Sequence, residues 1–446
     1  MGTGAFLAFN PALFNDGDTG WHLATGQLIL DTKAVPHHDP FSFTFRGQAW
    51  TAHEWLAEVL MAGVFAARGW SGLALLFAAA IGGLLLLVGN ALSRALPPRY
   101  VLVALVGLVV VLAPALLARP HVLAWPLLAG WLMILLRARE LGQAPPLAAA
   151  LLMLVWANLH ASFVIGLGLA GVFALEALVE SRDLRRTTLQ WGPFGALALV
   201  ASLATPHGIQ GLLFPFQVSG MRMLPLIAEW RPTRLPDDLG FVLFAAALIG
   251  GALLRWRQVG AVRLVLLAGL TWMAITHSRH HALFAIVGLL AVVPRAVGEG
   301  QHETGPSRRT WLVLAAAALL LAIVRDRIPL HRPDTATYPG TALAQLPADL
   351  RRAAVFNSYS FGGPLVQVGI APFIDGRSDM YGDDFTIAHA RMIDGDIGAF
   401  RSAQRRWNLR WTLLQTGTPL IAKLDREPGW RRLYVDRWAV IHVRTS

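Results

Sequence analysis

Two carboxylates and a histidine lie within one short segment near the start of the chain. The segment Asn15-Asp16-Gly17-Asp18-Thr19-Gly20-Trp21-His22 directly follows an apolar run, Met1–Phe14. A carboxylate beside an apolar surface can deprotonate an acceptor hydroxyl or help to hold a divalent cation, so Asp16 and Asp18 are candidate catalytic residues. The Asp-Gly-Asp pattern is equally typical of a turn that caps the helix predicted over 23–30. Both interpretations stay open on the sequence.

The following residues add a third carboxylate and further histidines. Glu54 lies in Trp50-Thr51-Ala52-His53-Glu54-Trp55, which opens a second amphipathic stretch. We take Glu54 as a further candidate catalytic carboxylate, and His22 and His53 as candidates for binding an acceptor. The run His37-His38-Asp39 contains the residue types of a metal site but lacks the usual helical or sheet spacing. A divalent cation therefore stays an open option with no ligands assigned.

Histidine and arginine side chains recur at the tips of the later apolar hairpins. One histidine in such a place is more often a satisfied interfacial residue, but six of them with arginines form a cationic rim suited to a phosphate or pyrophosphate. Glu229-Trp230, in the longest of these loops, adds a carboxylate and a stacking surface for an acceptor. The candidate ligands of a donor phosphate are Arg119, His121, His160, Arg279 and His280.

Composition indicates that membrane-spanning helices carry these groups. Of the 446 residues, 55% are hydrophobic and 15% are charged, against about 25% charged residues in soluble proteins. Several apolar runs are long enough to span, or nearly span, a bilayer core of about 30 Å. The absence of Cys excludes disulfides and thiolate sites. The clearest runs are Ser71–Leu92, Val101–Ala118, Trp191–Ala204, Gly240–Leu254 and Trp311–Val324.

Arginine distribution separates the two faces of this predicted bundle. Arginine-rich loops alternate with loops that carry His, Asp, Glu and Asn, and every histidine except His302 lies in the second set or in the C-terminal region. The positive-inside rule makes the arginine loops cytoplasmic and places the other loops outside, as it does residues from about 331 onward. The net charge of +11 then reflects topology rather than nucleic-acid binding.

The alternation of arginine-rich loops with the other loops predicts about ten membrane spans. In two places the number of spans does not follow directly from this pattern. Met1–Phe14 is shorter than the roughly 20 residues of a full span, so it is either a short or tilted eleventh helix or an incomplete start. The stretch Pro146–Leu178 has arginines on both sides, which demands an even number of crossings. We therefore predict two short helices there, joined by a polar turn at Asn158 and His160.

From Arg332 the chain changes character and predicts a small α/β domain of about 110 residues. Asn357-Ser358-Tyr359-Ser360-Phe361-Gly362-Gly363 fits a loop between a strand and a helix, whose glycine amides could meet an anion or a sugar. In Asp375-Gly376-Arg377-Ser378-Asp379 the charges either bind a polar acceptor or pair with each other. Asn357, Asp375 and Arg377 are the candidate acceptor-binding residues. The predicted strands are Ala354–Phe356, Pro372–Ile374, Arg410–Leu414, Arg432–Val435 and Ala439–Val443.

Several motifs together resemble a group of bacterial multi-spanning proteins over most of the chain. They are Asp18-Thr19-Gly20-Trp21-His22-Leu23-Ala24-Thr25-Gly26 with Val35-Pro36 and Asp39-Pro40-Phe41-Ser42-Phe43-Thr44, then Trp156-Ala157-Asn158-Leu159-His160, Glu229-Trp230 and Asp375-Gly376-Arg377. That group is similar to the GT-C superfamily of glycosyltransferases, a likeness of architecture rather than of motifs.

The resemblance implies a polytopic α-helical fold of about ten or eleven spans in a bacterial cytoplasmic (inner) membrane, with a small C-terminal α/β domain on its outer face. It implies a glycosyltransferase of the cell envelope that uses a polyprenyl-phosphate sugar and an extracytoplasmic glycan, lipid or protein acceptor. Two interfacial helices are expected in the first outer loop, residues 15–70. By position, Asp18 or Asp16 would be the catalytic acid.

Two other classes of function stay open. A ligase acting on preassembled lipid-linked polysaccharide would need the cationic rim but no acid in the first outer loop. A non-enzymatic component of envelope assembly or export would instead use the C-terminal domain to bind a partner. An ion-coupled transporter is disfavoured, because the apolar runs between Ser71 and Val324 hold almost no acid besides Glu176, near a cytoplasmic end.

Overall fold

The chain is mostly helical and ends in a small sheet. The computed structural model describes residues 10–298 and 330–445, with residues 320, 321, 323–325, 327 and 328 between them. A short 3-10 helix, Pro11–Phe14, precedes the first α-helix. The α-helices are α1 (Thr19–Thr32), α2 (Trp55–Leu92), α3 (Pro98–Leu112), α4 (Pro120–Glu140), α5 (Ala150–Leu159), α6 (Phe163–Ser181), α7 (Leu184–Leu203), α8 (Gly208–Ser219), α9 (Leu239–Leu254), α10 (Trp256–Val259), α11 (Ala261–Thr276), α12 (His281–Ala291), α13 (Val293–Val297), α14 (Gly340–Ala344), α15 (Gly362–Gln367), α16 (Ser378–Ile393), α17 (Ile397–Trp407) and α18 (Pro419–Leu424).

Apolar helices make up the first three quarters of the chain, as predicted. Within the described residues, five helical segments are long and apolar enough to cross a membrane, and α7 with α8, bent by 89°, would add a sixth. Three shorter apolar helices accompany them: Leu147–Leu159, Leu239–Leu254 and Ala261–Thr276. Most of the predicted run Trp311–Val324 and most of Met1–Phe14 lie outside the described residues. The total of ten or eleven spans therefore stays a prediction.

The stretch 146–178 folds as the two short helices that its charge pattern predicts. α5 ends at Leu159, and His160 has extended backbone angles (φ −164°, ψ 140°) before α6 begins at Phe163. The other polar tips also fall at breaks between helices: Arg119 directly precedes α4, and Arg279 lies between α11 and α12. Helix ends therefore bring the tip residues to one end of the bundle.

Helix α1 is more deeply buried than a helix lying on a membrane surface would be. Its buried residues include Trp21, His22, Leu23, Thr25 and Ile29, which occupy most of its circumference. It packs along α2, and it comes so close that a Cβ on Gly26 would lie 1.9 Å from the carbonyl oxygen of Glu58. The expectation of a one-sided amphipathic α1 is therefore wrong. The second expected helix is the first part of α2, which breaks at Gly69 (φ 56°) before the apolar stretch.

A four-stranded sheet forms the core of the C-terminal part. Its order is β1-β2-β4-β3, with β1 parallel to β2 and the other two pairs antiparallel. The predicted strand Pro372–Ile374 is wrong. The carbonyls of Pro372 and Phe373 accept hydrogen bonds from Phe43 and Thr44 of the first outer segment instead. The strands are β1 (Val355–Asn357), β2 (Trp411–Gln415), β3 (Trp430–Val435) and β4 (Ala439–Arg444).

This C-terminal part packs directly on the segment that precedes α1. A Cβ on Gly363 would lie 2.0 Å from the carbonyl oxygen of Gly17, and a Cβ on Gly20 would lie 2.4 Å from that of Gly363. Arg332 donates to the backbone carbonyls of Asp16 (2.6 Å) and Phe14 (3.1 Å). Gly362 and Gly363 form the first turn of α15, where a Cβ on either residue would collide with neighbouring backbone.

Candidate active site

One arginine gathers three carboxylates from two separate parts of the chain. Nη2 of Arg119 lies 2.6 Å from Oδ1 of Asp16 and 2.7 Å from Oδ2 of Asp18, and Nη1 lies 3.3 Å from Oε2 of Glu229. Asp16 and Asp18 precede or begin α1, Arg119 precedes α4, and Glu229 lies in the 3-10 helix Ala228–Trp230. We call these four residues the Arg119 cluster. The sequence predicted each member, but not the pairing.

The two aspartates of the cluster have different local roles. Oδ2 of Asp16 accepts hydrogen bonds from the backbone N–H and the hydroxyl of Thr19, both at 3.1 Å. Asp16 therefore performs the turn-capping role that the sequence left open. The side chain of Asp18 makes no such cap. Its Oδ1 instead faces Gly376, where a Cβ would lie 1.9 Å from that oxygen.

Their protonation differs accordingly. The pKa of Asp18 is raised to about 7: burial is the largest cause, the neighbouring carboxylates Asp16 and Glu229 act in the same direction, and Arg119 acts in the opposite direction. Burial acts the same way on Asp16, but there the charge and hydrogen bonds of Arg119 prevail, and the pKa of Asp16 is lowered. Two acids in one site with separated pKa values are typical of acid–base catalysis, and a pKa near 7 suits a general base.

A second polar cluster surrounds Glu54. His160 Nε2 lies 3.3 Å from a Glu54 carboxylate oxygen, His53 Nε2 lies 3.7 Å away, and His22 Nδ1 lies 3.9 Å away. His22 also contacts Glu58 Oε1 at 3.1 Å. Burial raises the pKa of Glu54 to about 8. The structure thus brings together four residues that the sequence singled out.

Two members of this second cluster escaped sequence reasoning. Glu58 follows Glu54 by four residues, and this spacing places both on one face of a helix. This spacing is visible in the sequence, but Glu58 lies in the second amphipathic stretch, which we assigned to contact with the membrane. Asp379 of the C-terminal part belongs to the surroundings of Glu54, because its charge raises the pKa of Glu54. That contact spans over 300 residues of chain, and no local pattern predicts it.

Among the predicted phosphate ligands, Arg279 is the best placed. It is exposed, and its guanidinium lies 4.2 Å from the ring centroid of Trp230. In the described part of the chain no carboxylate oxygen lies within 4.0 Å of Arg279. Arg119, by contrast, is already surrounded by three carboxylates, so its prediction as a phosphate ligand needs correction: its charge holds the acids.

The predicted histidines of the rim each use one ring nitrogen locally. His121 Nε2 lies 3.0 Å from the carbonyl oxygen of Ala115, and His280 Nδ1 lies 3.1 Å from that of Met273. His160 Nδ1 lies 2.8 Å from the hydroxyl of Ser162. The other ring nitrogen of His121 and His280 makes no hydrogen bond within the described residues. These histidines line the same end of the bundle as Arg279.

The three C-terminal candidates serve the fold rather than an acceptor. Asn357 is fully buried, and its amide bonds the backbone of Ser358, Phe373 and Ile374. Arg377 is buried between Asp375 (2.6 Å) and Asp39 (2.7 Å). Self-pairing, one of the two alternatives for Arg377, is therefore what the structure shows. It also anchors the first outer segment to the C-terminal part.

A divalent cation does not fit these residues as they are placed. The three carboxylates of the Arg119 cluster converge on a guanidinium, which occupies the position that a metal would need. Asp39, of the run His37-His38-Asp39, is engaged by Arg377 and Ser42. Over residues 10–298 and 330–445, no group of three His, Asp or Glu side chains has the geometry to hold a metal ion.

Two solved structures share this architecture. The fold resembles that of an archaeal oligosaccharyltransferase. The apo form of the Archaeoglobus fulgidus oligosaccharyltransferase matches with a TM-score of 0.58 and 11% identity, over 93% of this chain and 69% of that chain. The Archaeoglobus fulgidus oligosaccharyltransferase AglB, in complex with an inhibitory peptide and a dolichol-phosphate, matches with a TM-score of 0.58 and 12% identity, over 90% of this chain and 66% of that chain. No protein-family model and no curated protein matches the sequence. At this level of identity the likeness is one of fold: a mostly helical chain with a small C-terminal sheet.

Proposed function

We propose that this chain is a membrane glycosyltransferase. It moves a sugar from a polyprenyl-phosphate donor to an acceptor on the outer face of a bacterial cytoplasmic membrane, where the C-terminal domain, residues 331–446, also lies. The observation that carries this proposal is Asp18: a partly buried carboxylate with a pKa near 7, held by Arg119 beside a second acid. The fold supports it, because one similar structure is a complex with a dolichol-phosphate and a peptide.

The Asp18 carboxylate acts as the general base. It removes the proton from an acceptor hydroxyl as the acceptor oxygen attacks the anomeric carbon of the donor sugar. The bond between that carbon and the phosphate oxygen breaks, and its electron pair leaves with the lipid phosphate. A fixed cation near the departing phosphate stabilises the charge that develops there. Arg279, exposed and without a carboxylate partner in the described residues, is the first candidate.

Arg119 and Asp16 position the base. Thr19 donates a hydrogen bond to the Asp16 side chain, and Arg332 donates one to the Asp16 backbone carbonyl. Arg119 contacts both Asp16 and Asp18 and so holds Asp18 beside Asp16. A base held within a fraction of an ångström of its proton gains effective concentration over a mobile one. Glu229, which Arg119 also contacts, and the adjacent Trp230 remain the candidates for contacting the acceptor.

Transfer by reconstituted protein tests the proposal. The purified chain is placed in liposomes with a polyprenyl-phosphate sugar pool extracted from bacterial membranes, and loss of donor is followed by mass spectrometry. We expect Asp18→Asn to lower the rate about 10²- to 10⁴-fold, the range of general-base contributions. Asp394→Asn, an exposed aspartate of the C-terminal part, is the matched control. Full activity in Asp18→Asn would overturn the assignment and favour a ligase or an assembly component.

Native-lipid retention tests the donor separately. Protein purified in mild detergent is analysed by mass spectrometry for a co-purifying polyprenyl phosphate or phosphosugar. We expect wild type to retain one and Arg279→Ala to lose most of it, while Arg231→Ala, an arginine already paired with Asp238 at 2.6 Å, retains it. Equal retention in all three proteins would contradict a phosphate role for Arg279.

A further inference from the structure

A small space lies beside the Arg119 cluster and is not used by the proposed mechanism. Its lining includes Trp21, Trp50, Glu54, Glu58 and Asp379. The volume in which the centre of a water-sized group can lie is about 10 Å³. The space therefore holds one water molecule or one ammonium group. Trp21 joins it to the base, because the Trp21 Nε1 atom and Asp18 Oδ1 both approach Gly376.

One lining carboxylate has an oxygen without a partner. Glu58 is 1% exposed, and its Oε1 contacts His22. Its Oε2 is buried and makes no hydrogen bond to any described residue. A buried carboxylate oxygen left unsatisfied is costly, so it marks a place where a hydrogen-bond donor belongs.

Among the described residues, the acids of this space have no arginine partner of their own: neither Glu54, Glu58 nor Asp379 forms a salt bridge with an arginine. Burial keeps Glu54 largely protonated at pH 7, since its pKa is raised to about 8, and a bound ammonium group would favour its ionised form. Arg377 also lines the space, but its charge is matched by Asp39 and Asp375. The neighbouring histidines add little positive charge, since burial lowers the pKa of His53 to about 4 and that of His22 well below its usual value.

The chemistry of the lining selects among small ligands. A metal ion needs three ligands in close coordination, and the described residues offer no such group. A hydroxyl brings one donor and no charge. A primary ammonium group brings three N–H donors and a positive charge, which match the three carboxyl groups that line the space.

We propose that this space, the ammonium pocket, binds a primary ammonium group of a substrate. The inference rests on the proposed glycosyl transfer and deepens it: the transferred sugar is an amino sugar, or the acceptor carries an amine next to its reacting hydroxyl. The pocket would orient that molecule beside Asp18. Specificity of this kind is strong, because an analogue without the amine leaves buried carboxylates unpaired.

Thermal unfolding of the full chain in detergent, with small probes at millimolar concentration, tests the pocket without any turnover. The probes are glucosamine, N-acetylglucosamine, glucose and ethanolamine, in an amine-free buffer. We expect glucosamine to raise the unfolding temperature by a few degrees at a tenfold excess over its Kd. Glucose and N-acetylglucosamine should not. A comparable effect of ethanolamine would assign the ammonium to an amine acceptor, and its failure would assign it to an amino sugar.

Two variants define the site. Glu58→Gln and Asp379→Asn should each abolish the glucosamine effect, whereas Glu140→Gln, on an exposed residue far along the chain, should keep it. Asp379 is only partly buried, so its variant serves if Glu58→Gln fails to fold. A water-filled space only would give no amine-specific effect, and that result, or an equal effect of glucose, would overturn the inference.

The two proposals fail separately in this design. Asp18→Asn should abolish transfer while leaving the glucosamine effect intact. Transfer without any amine effect would overturn the ammonium pocket alone. An amine effect in a protein that transfers nothing, under conditions where its donor is bound, would overturn the proposed reaction alone.

Discussion

At the scale of the residue, the charges around Asp18 make opposite predictions for two variants. A general base must be deprotonated, so transfer should rise with pH and reach half its maximum near pH 7, the pKa of Asp18. Arg119 lowers that pKa and Asp16 raises it. Arg119→Gln should therefore move the half-maximum to higher pH and Asp16→Asn to lower pH, each by about one pH unit. The measurement is kcat/KM from pH 5.5 to 9.

Asn can still cap a helix, so Asp16→Asn should keep the turn before α1. Glu140→Gln is the control, because Glu140 is exposed and its carboxylate pairs with Arg137, outside the Arg119 cluster. Its half-maximum should stay near that of the wild type. Shifts of the same sign in Arg119→Gln and Asp16→Asn would contradict the assignment of Asp18 as base.

Single residues were predictable only in part. Asp16, Asp18 and Glu54 stand out because acids are rare beside apolar runs, and type and position suffice to identify them. The roles of Arg119 and Arg377 depend on partners 103 and 338 residues away in the sequence, respectively. Long-range pairs of this kind follow from the fold, and a single sequence does not encode them locally.

At the scale of the element, the close approach of α1 and α2 predicts a sharp effect at Gly26. A Cβ there would meet the Glu58 backbone at 1.9 Å and 2.4 Å, so the two helices must separate. We expect Gly26→Ala to destabilise the protein by about 1–3 kcal/mol, as overpacking does. Transfer should fall as well, because α1 carries the base and α2 carries Glu58. Tryptophan fluorescence on heating measures the stability.

Gly83→Ala offers the matched control on α2. A Cβ there meets nothing within 4 Å. Alanine is favoured over glycine inside a helix by about 0.5–1 kcal/mol, so this variant should be neutral or slightly more stable. Equal losses of stability in both variants would contradict a close approach of α1 and α2 at Gly26.

The elements themselves were largely predictable where periodicity and charge agreed. The two short helices around His160 follow from arginine parity, and the strands 355–357 and 411–415 follow from β-branched and aromatic runs. The prediction of a strand at Pro372–Ile374 failed. An apolar run of three residues is too short to show a periodicity, and Pro372 has no N–H to donate to a neighbouring strand. The burial of α1 also escaped, since it is covered by α2 on one side and by residues from beyond 331 on another.

At the scale of the whole molecule, the C-terminal part closes the site rather than standing apart from it. Gly376 contacts Asp18, Arg332 holds the backbone of Asp16, and Asp379 lines the ammonium pocket. Deleting 331–446 would thus remove a wall of the site in an enzyme and a partner surface in an assembly component. The deletion does not distinguish these functions, and the Asp18 variants do.

The buried acids also predict how the stability of the molecule depends on pH. Burial raises the folded-state pKa of Asp18 to about 7 and of Glu54 to about 8, above the values of 3.8 and 4.5 that they have when exposed. Between these values the folded state binds more protons than the unfolded state, so stability falls as pH rises. His53 and His389, with pKa values lowered to about 4, act in the opposite direction, but only below their ordinary value of 6.5.

Above pH 6.5 the acids therefore decide the sign. We expect the unfolding temperature to fall steadily from pH 6.5 to 8.5 in an amine-free buffer, with each group contributing at most about 1.4 kcal/mol per pH unit. Glu54→Gln should flatten the slope, because glutamine stays neutral at every pH, and Glu140→Gln should leave it unchanged. Millimolar glucosamine should flatten it as well if the ammonium pocket binds the amine, since an ammonium group stabilises the ionised carboxylates. A rising stability over this range, or a slope unaffected by Glu54→Gln, would show that these carboxyl groups are ionised in the resting protein.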